Sequence, residues 1–559
     1  MAESMSAAEG VGTMGGADGP LVLAVDQGTS ATKAVLVDVR GDIVALGSAP
    51  VALSTPAPGW VEQSAEEIWQ SCRRAVAQCL DGQDATRVAA VGLSTQRESL
   101  LLWERATGTP LSPLVSWLDK RTAGDPALLR ALDSADLVRD ISGLPLDPMF
   151  SAPKAAWLLD HHDPERRRSR AGELCLGTVD SWLLFKLGGA HLIEVGNAAR
   201  TQLFDVHRLT WDERLMRLFD VPPGVLPRVV SSQGPFPPAR DLAPLPDGVP
   251  VTAVLGDSHA ALFAHAGWQD GTVKATYGTG SSVMAVAPSS TRPSSGMCLT
   301  VAWDVGEPAW AVEGNIRSTG ATLTWLAKLL GTDVSALASL AADSSDGVVI
   351  VPAFGGLGAP WWDDEAVGLI SGVTFGTEAP QLVRAALESI AFQVEDVVAA
   401  VERDIGPVVR LLTDGGPTGN PLLMQLQADT SGRVVERARA RDLSALGAAH
   451  LAGLGGGVWS KADLERLHRP RDVYTPDENP DSRAARRAHW HAAVRRSRRR
   501  ASDDEGISHA VATAEPHAVL GVGTPPAPSR KRPLVGTGAT RHDPAPGPRP
   551  HPSDIGDGS

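Results

Sequence analysis

The chain has 559 residues, 43% of them hydrophobic and 21% charged, and a formal net charge of −14. That length is too great for one small core and predicts two large domains of an ordinary globular protein. The acidic balance argues against a general nucleic-acid-binding role, and no apolar stretch approaches the ~20 residues that a membrane span needs.

In chain order, residues 1–20 are Gly/Ala/Ser-rich, without the basic start and apolar core of a signal peptide, and are expected to be disordered. "LVLAVDQGTSATKAVLVD" (21–38) then reads as two strands around a polar turn. Asp26, Gly28, Thr29, Ser30 and Lys33 give that turn more hydroxyl and charge than a hairpin needs. "AEEIWQSCRRAVAQCL" (65–80) predicts an amphipathic helix with Cys72 and Cys79 on one face. These two, with Cys175 and Cys298, show no metal-ligand or redox spacing, which predicts reduced structural thiols and a cytoplasmic protein.

"RVAAVGLSTQRESLLLW" (87–103) puts Arg97 and Glu98 just after a strand. The pair offers planar donors beside an acceptor, which suits the adjacent hydroxyls of a polyol; a surface ion pair is the plainer alternative. Trp117 in "VSWLDKR" has an indole face that can pack on a carbon chain or fill a core. In "VLGDSHAALFAHAG" (254–267), Asp257 ends a strand and opens a helix. It can accept a proton from a substrate hydroxyl or serve as a plain N-cap. His259 and His265 read as packing or surface residues.

"GTVKATYGTGSSVMAVA" (271–287) repeats the opening design of strand, Gly/Thr/Ser turn and strand, which suggests two related domains facing one ligand. "FGGLGAPWWDDEAVGLISG" (354–372) reads as a rigid loop whose acidic pair, Asp363 and Asp364, could bind metal. "APQLVRAALESIAFQVEDVVAAVE" (379–402) predicts a helix burying one face. "LLTDGGPTGNPLLMQL" (411–426) is a third glycine turn, leading into a helix. Backbone N–H groups in such turns can cradle phosphate, and no GxxxxGK[ST] P-loop competes for that role. The basic run "RAARRAHWHAAVRRSRRR" (483–500) reads as the solvated face of a terminal helix, and the Pro/Gly-rich 501–559 as disordered.

Taken together, "DQGTSATKAV", "STQRESLLLW", "GTVDSWLLFKL", "LGDSHAALF", "KATYGTG", "AFGGLGAPWWD" and "TDGGPTGNPLLMQLQAD" resemble the FGGY carbohydrate kinases over about residues 21–500, most of all their glycerol kinase branch. The resemblance implies an α/β protein of two actin/Hsp70/hexokinase-like (ribonuclease H-like) domains with an interdomain cleft. The expected domains are 21–265, carrying the substrate site and first phosphate turn, and 266–500, carrying the nucleotide. It implies an ATP-dependent kinase of a primary hydroxyl, with Mg²⁺ at Asp26, ATP at Thr29, Ser30, Lys33, Gly278, Thr279, Gly320, Thr324, Gly416 and Asn420, and Asp257 as catalytic base. Arg97, Glu98 and Trp117 match the glycerol-site residues, so the partner is a small polyol or sugar and not a nucleic acid; a homodimer follows only by family analogy. An actin- or chaperone-like ATPase would share the hairpins without needing Arg97–Glu98 beside Asp257. A sensor that had lost catalysis would not need both Asp26 and Asp257.

Departures from the glycerol kinase pattern cluster in the substrate pocket: Met149 for Tyr, Ser258 for Gln and Ser282 for Phe. Losing two aromatic walls and an amide predicts a wider pocket, fit for a larger polyol or ketose such as xylulose or erythritol. Lys33 for Arg keeps the charge but loses the fork, and Thr324 replaces Gln. Where bacterial glycerol kinases often carry a Gly/Arg-rich regulatory loop, "SSQGPFPPARDLAPLPDG" (231–248) is Pro-rich. Initial rates are therefore expected to be unchanged by fructose 1,6-bisphosphate; inhibition at low micromolar effector would contradict this.

Overall fold

The computed structural model describes residues 19–498 apart from Ser295. The expected tails, 1–20 and 501–559, lie outside the described residues but for Gly19 and Pro20. Two mixed sheets organise the fold. The first comprises β1 (Leu21–Gln27), β2 (Ala31–Val37), β3 (Ile43–Pro50), β4 (Val88–Thr95) and β5 (Val251–Gly256), in the order β5-β4-β1-β2-β3. β1, β2 and β3 pair antiparallel, whereas β4 and β5 add parallel. The second comprises β6 (Thr272–Tyr277), β7 (Ser281–Ala287), β8 (Cys298–Asp304), β9 (Pro308–Ile316), β10 (Arg410–Asp414), β11 (Val434–Ala438) and β12 (Arg471–Tyr474). Their order is β8-β9-β7-β6-β10-β11-β12. Its central five, β9-β7-β6-β10-β11, repeat the first sheet's pattern of antiparallel meander followed by two parallel strands. The echo between the two hairpins in the sequence is thus a repeated topology.

The helices that position the site are α1 (Ala65–Cys79), α2 (Ser151–His162), α3 (Asp257–Ala264), α4 (Gly320–Leu330), α5 (Ala379–Ile405), α6 (Pro421–Ser431), α7 (Leu443–Gly455) and α8 (Pro480–Ser497). β1 is a near-continuous apolar run because both its faces are covered. Leu21, Leu23 and Val25 join one core with Ile68, Trp69 and Cys72 of α1. Val22 and Ala24, on the opposite face, join another with Ala445, Ala448 and Leu451 of α7. α7 lies far beyond residue 265 in sequence, yet it packs against β1, β4, β5 and α3.

Two expectations change. α5 does not bury a single face: every residue from Ala385 to Val398 is buried. α6, α4 and strands β7 and β9 pack against it, and α8, whose basic residues were expected to face solvent, adds to the cover. Trp490 stacks on Phe392 at 5.4 Å between ring centroids and donates its indole N–H to Asp396 at 2.7 Å. Arg487 and Arg433 pair with Glu395, each at 3.0 Å. Arg487 of the basic run thus helps neutralise a carboxylate that α5 carries into the interior, as buried charge requires, while Arg495 and Arg496 stay exposed as expected. Asp363 pairs with Arg498 at 3.0 Å, and Asp364 pairs with Arg317.

α3 and α7 approach closely at Gly447, where an added Cβ would lie 1.8 Å from the Ala260 carbonyl oxygen. Gly447→Val is expected to cost about 3 kcal/mol by forcing these helices apart. Gly124→Ala, where nothing lies within 4 Å, should leave the urea midpoint unchanged. An unshifted midpoint for Gly447→Val would contradict this packing.

Candidate active site

A cavity of about 360 Å³ opens between the two sheets and is lined from both. From the first come Thr29 and Ser30 in the β1–β2 turn, Arg97 and Glu98 after β4, Trp117, and Asp257 and Ser258 at the start of α3. From the second come Gly278 and Thr279 in the β6–β7 turn, and Ser282 on β7. Met149, just before α2, completes a wall. Residues remote in sequence and expected to act together therefore share one space.

The charges at its base form a network. Arg97 is 6% exposed and donates through Nη1 and Nη2 to the two carboxylate oxygens of Glu313, at 2.9 and 2.6 Å. Arg200, fully buried, reaches the same Glu313 at 2.9 Å and donates through Nε to Glu98 at 2.6 Å. Ser282 Oγ donates to Glu313 Oε1 at 2.9 Å, and the Asn315 amide, oriented to satisfy both neighbours, bridges Glu313 and Arg200 at 3.1 and 3.2 Å. Burial alone would raise the Glu313 pKa, but Arg200 and Arg97 hold it well below the usual carboxylate range. Arg97 keeps its charge for the reciprocal reason: burial opposes it, and Glu313, Glu98 and Asp257 outweigh burial. Its Nε has no hydrogen-bond acceptor among the described residues and lies 3.3 Å from Asp257 Oδ1.

Asp257 is not an N-cap. Gly256 holds that place, and Asp257 is the first helical residue, its Oδ1 accepting from the Ser258 N–H at 2.6 Å. Burial raises its pKa, Arg97 works against that rise, and Glu98 adds to it. Glu98 has φ of 62°, a left-handed conformation uncommon outside glycine, which turns its side chain onto Arg200. The Trp117 indole N–H donates to Thr29 Oγ1 at 2.9 Å, tying the aromatic wall to the first glycine turn. Met149 is held by Asp147, which accepts from its N–H at 2.8 Å, and by buried Lys154, which donates to the carbonyls of Pro148, at 3.0 Å, and of Met149.

The remaining expected residues lie outside that lining. Asp26 ends β1 and accepts from Ser94 Oγ at 2.7 Å. Burial lifts its pKa to about 7, partly offset by that hydrogen bond. Such a carboxylate fits Mg²⁺, which binds through one or two carboxylates plus phosphate oxygens and water; among the described residues no cluster of three or more His, Cys, Asp or Glu forms a closed metal cage. Lys33 does not line the cavity; its Nζ meets Asp442 at 2.5 Å. Gly320 opens α4 so close to the second turn that a Cβ would lie 2.5 Å from the Gly278 oxygen and 3.5 Å from Pro417. Gly416 is exposed beside Pro417, and Asn420 caps α6 by accepting from Leu422 and Leu423. Thr324 sits exposed on α4, bonded to the Gly320 carbonyl at 3.1 Å. His259 and His265 are both buried; His259 stands 3.4 Å from Arg97, and His265 pairs with Asp414 at 2.8 Å.

Glu313, Arg200 and Asn315 escaped the sequence reading. A carboxylate inside the apolar strand "AWAVEGNI" was the available signal, since an isolated charge cannot be buried without partners.

Comparison with known proteins agrees with this geometry. Residues 21–264 match the N-terminal domain of the FGGY family of carbohydrate kinases, and residues 273–455 match its C-terminal domain. A glycerol kinase of Aromatoleum aromaticum is 44% identical over 491 residues, covering 85% of this chain and 98% of that protein. An apulose kinase of Pectobacterium atrosepticum is 40% identical over 491 residues, covering 86% and 99%. The crystal structure of Plasmodium falciparum glycerol kinase with ADP superposes with a TM-score of 0.80 at 29% identity, covering 86% of this chain and 99% of that one. With both domain models matched in order and relatives alike over nearly their full length, this chain belongs to the FGGY family of carbohydrate kinases.

Proposed function

We propose that the cleft transfers the γ-phosphoryl group of ATP to a primary hydroxyl of a polyol or ketose, by a glycerol kinase-like reaction. The observation that carries this reading is the meeting of Asp257, the Arg97–Glu98 pair and two glycine turns in one cavity. The lobes 21–265 and 266–500 would hold substrate and nucleotide respectively, with α7 reaching back to the first. Arg97, ion-paired through Nε with Asp257 at 3.3 Å, would donate to one substrate hydroxyl, and Glu98 would accept from its neighbour. Asp257 takes the proton of the attacking hydroxyl as its oxygen bonds to the γ-phosphorus and the bond to the departing ADP oxygen breaks. Thr29, Ser30 and Thr279 would present donors to the phosphates beside the Gly278 turn, and Gly320, Gly416 and Asn420 with Thr324 would flank the nucleotide. Mg²⁺ held at Asp26 would supply charge neutralisation on the phosphates. Lys33 would reach a phosphate only by leaving Asp442. The four free, buried cysteines fit a reducing compartment, which supports a cytoplasmic location; a homodimer remains an analogy with the family.

For the acceptor, two observations favour one longer than three carbons. Ser282, standing where an aromatic wall is usual in glycerol kinases, is drawn down onto Glu313 instead of projecting across the pocket. A relative about as similar as the glycerol kinases acts, by its name, on apulose.

Asp257→Asn should lower kcat by about 10²- to 10⁴-fold while ATP binding by calorimetry is retained. In the wild type, kcat/KM should rise with pH through an acid limb lying above the ordinary aspartate value of 3.8, because the base must be ionised to act. Near-normal turnover of the variant would remove Asp257 from its role. In a substrate panel followed by ADP release, a four- or five-carbon acceptor should exceed glycerol in kcat/KM, and Ser282→Phe should shift the ratio toward glycerol by about tenfold. Glycerol as by far the best substrate would overturn the wider-pocket reading, and no acceptor-dependent ADP release would overturn kinase activity itself.

A further inference from the structure

A second cavity, of about 480 Å³, lies among segments that take no part in the phosphoryl-transfer site: the β2–β3 turn, the end of α3, the loop after β11, the start of α7 and the segment 467–471. Its walls are apolar, from Ile43, Ala440, Leu443, Leu446 and Leu467. Among the polar groups that break that surface, His265 is paired with Asp414 at 2.8 Å, and two others are left short of partners. His450, on α7, is 2% exposed, lines the cavity, and has no hydrogen-bond partner on either ring nitrogen among the described residues. Trp459 packs edge-on against its ring at 5.8 Å, which fixes the ring without satisfying it. Arg469 donates to the carbonyls of Ala264, Leu467 and Leu464 at 2.8, 3.2 and 2.8 Å but is paired with no carboxylate among the described residues.

Two other cations at the rim are already matched. Arg439 is held by Asp472 at 2.7 Å and Arg471 by Glu436 at 2.6 Å, while exposed Asp42 and His468 stand at the opening. Burial, with Arg471 nearby, lowers the Arg469 pKa to about 10, the mark of a cation lacking its counter-charge. Burial and then Arg469 hold His450 neutral, so its ring offers one donor and one acceptor. A buried group left without a partner costs free energy that a fitting ligand recovers.

We infer that this cavity is a binding site for a small carboxylate with a compact apolar body: the body fills the leucine-lined space, and the carboxylate answers Arg469 and the His450 N–H. Nothing in the phosphoryl-transfer chemistry uses these residues.

Benzoate and its neutral counterpart benzyl alcohol are suitable probes, titrated into the full chain by calorimetry with Tm as a second readout. Benzoate should bind saturably and raise Tm, benzyl alcohol should bind about tenfold more weakly or worse, and the acceptor substrate should not displace benzoate. Ala440→Phe, which fills the space from a half-buried loop, and Arg469→Met should each weaken benzoate by about tenfold or more and leave kinase kcat unchanged. Should Arg469→Met fail to fold, Ala440→Phe decides alone, since it keeps the three Arg469–carbonyl bonds. No saturable benzoate binding, equal binding of the alcohol, displacement by the acceptor, or undiminished affinity in Ala440→Phe would each overturn the assignment.

Discussion

The site depends on one carboxylate. Glu313, fully buried on β9 of the second sheet, holds Arg97 from the first sheet and Arg200 from the connecting region, and Arg200 in turn holds Glu98. Two arginines and two glutamates taken from water cost several kcal/mol each unless every one is matched, and here they match in alternation. The arrangement fixes Arg97 in one orientation, with its bidentate edge spent on Glu313 and its Nε facing Asp257. A side chain with four rotatable bonds thereby becomes a rigid donor. Ser282 and Asn315 use the remaining capacity of Glu313, so a change at any of these positions is felt by the others.

This network also explains why a repeated fold produces a single site. Each sheet ends its leading hairpin in a glycine turn, and each turn closes on itself, Gly28 N–H to Ala31 and Gly278 N–H to Gly280. The turns alone would offer phosphate two equivalent cradles. Asymmetry comes from what surrounds them: Arg97, Glu98, Asp257 and Trp117 on one side, and the close approach of Gly320 to the Gly278 carbonyl on the other. Charge compensation recurs away from the cleft, where α8 supplies arginines and a tryptophan to the carboxylates of α5. In both places helix or strand positions that look misplaced by hydrophobic pattern are balanced by residues distant in sequence. Arg469 and His450 break that rule, which is what distinguishes the second cavity from packing.

Much of this was legible from local sequence. The strands, the glycine turns, the start of α3 at Asp257 and the place of Arg97 just after a strand all rest on short-range patterns: apolar alternation, turn residues, and polar groups at strand ends. Those patterns carry no information about partners across hundreds of residues. Glu313 inside an apolar strand, Arg200 after a short helix, and the burial of both faces of α5 needed the chain folded, because each is stable only through a neighbour that sequence does not place beside it.

By itself, then, the sequence determined an α/β kinase of this family and its glycine turns, since these depend on backbone geometry and local chemistry. Tertiary structure alone decided that Glu313 and Arg200 hold Arg97 and Glu98, that Ser282 bonds to Glu313 at the cavity wall, that α7 returns to the first sheet, and that Lys33 meets Asp442. The physical reason is common to all four. Burial of charge and packing of helices are settled by which surfaces meet, and only the folded chain brings those surfaces together.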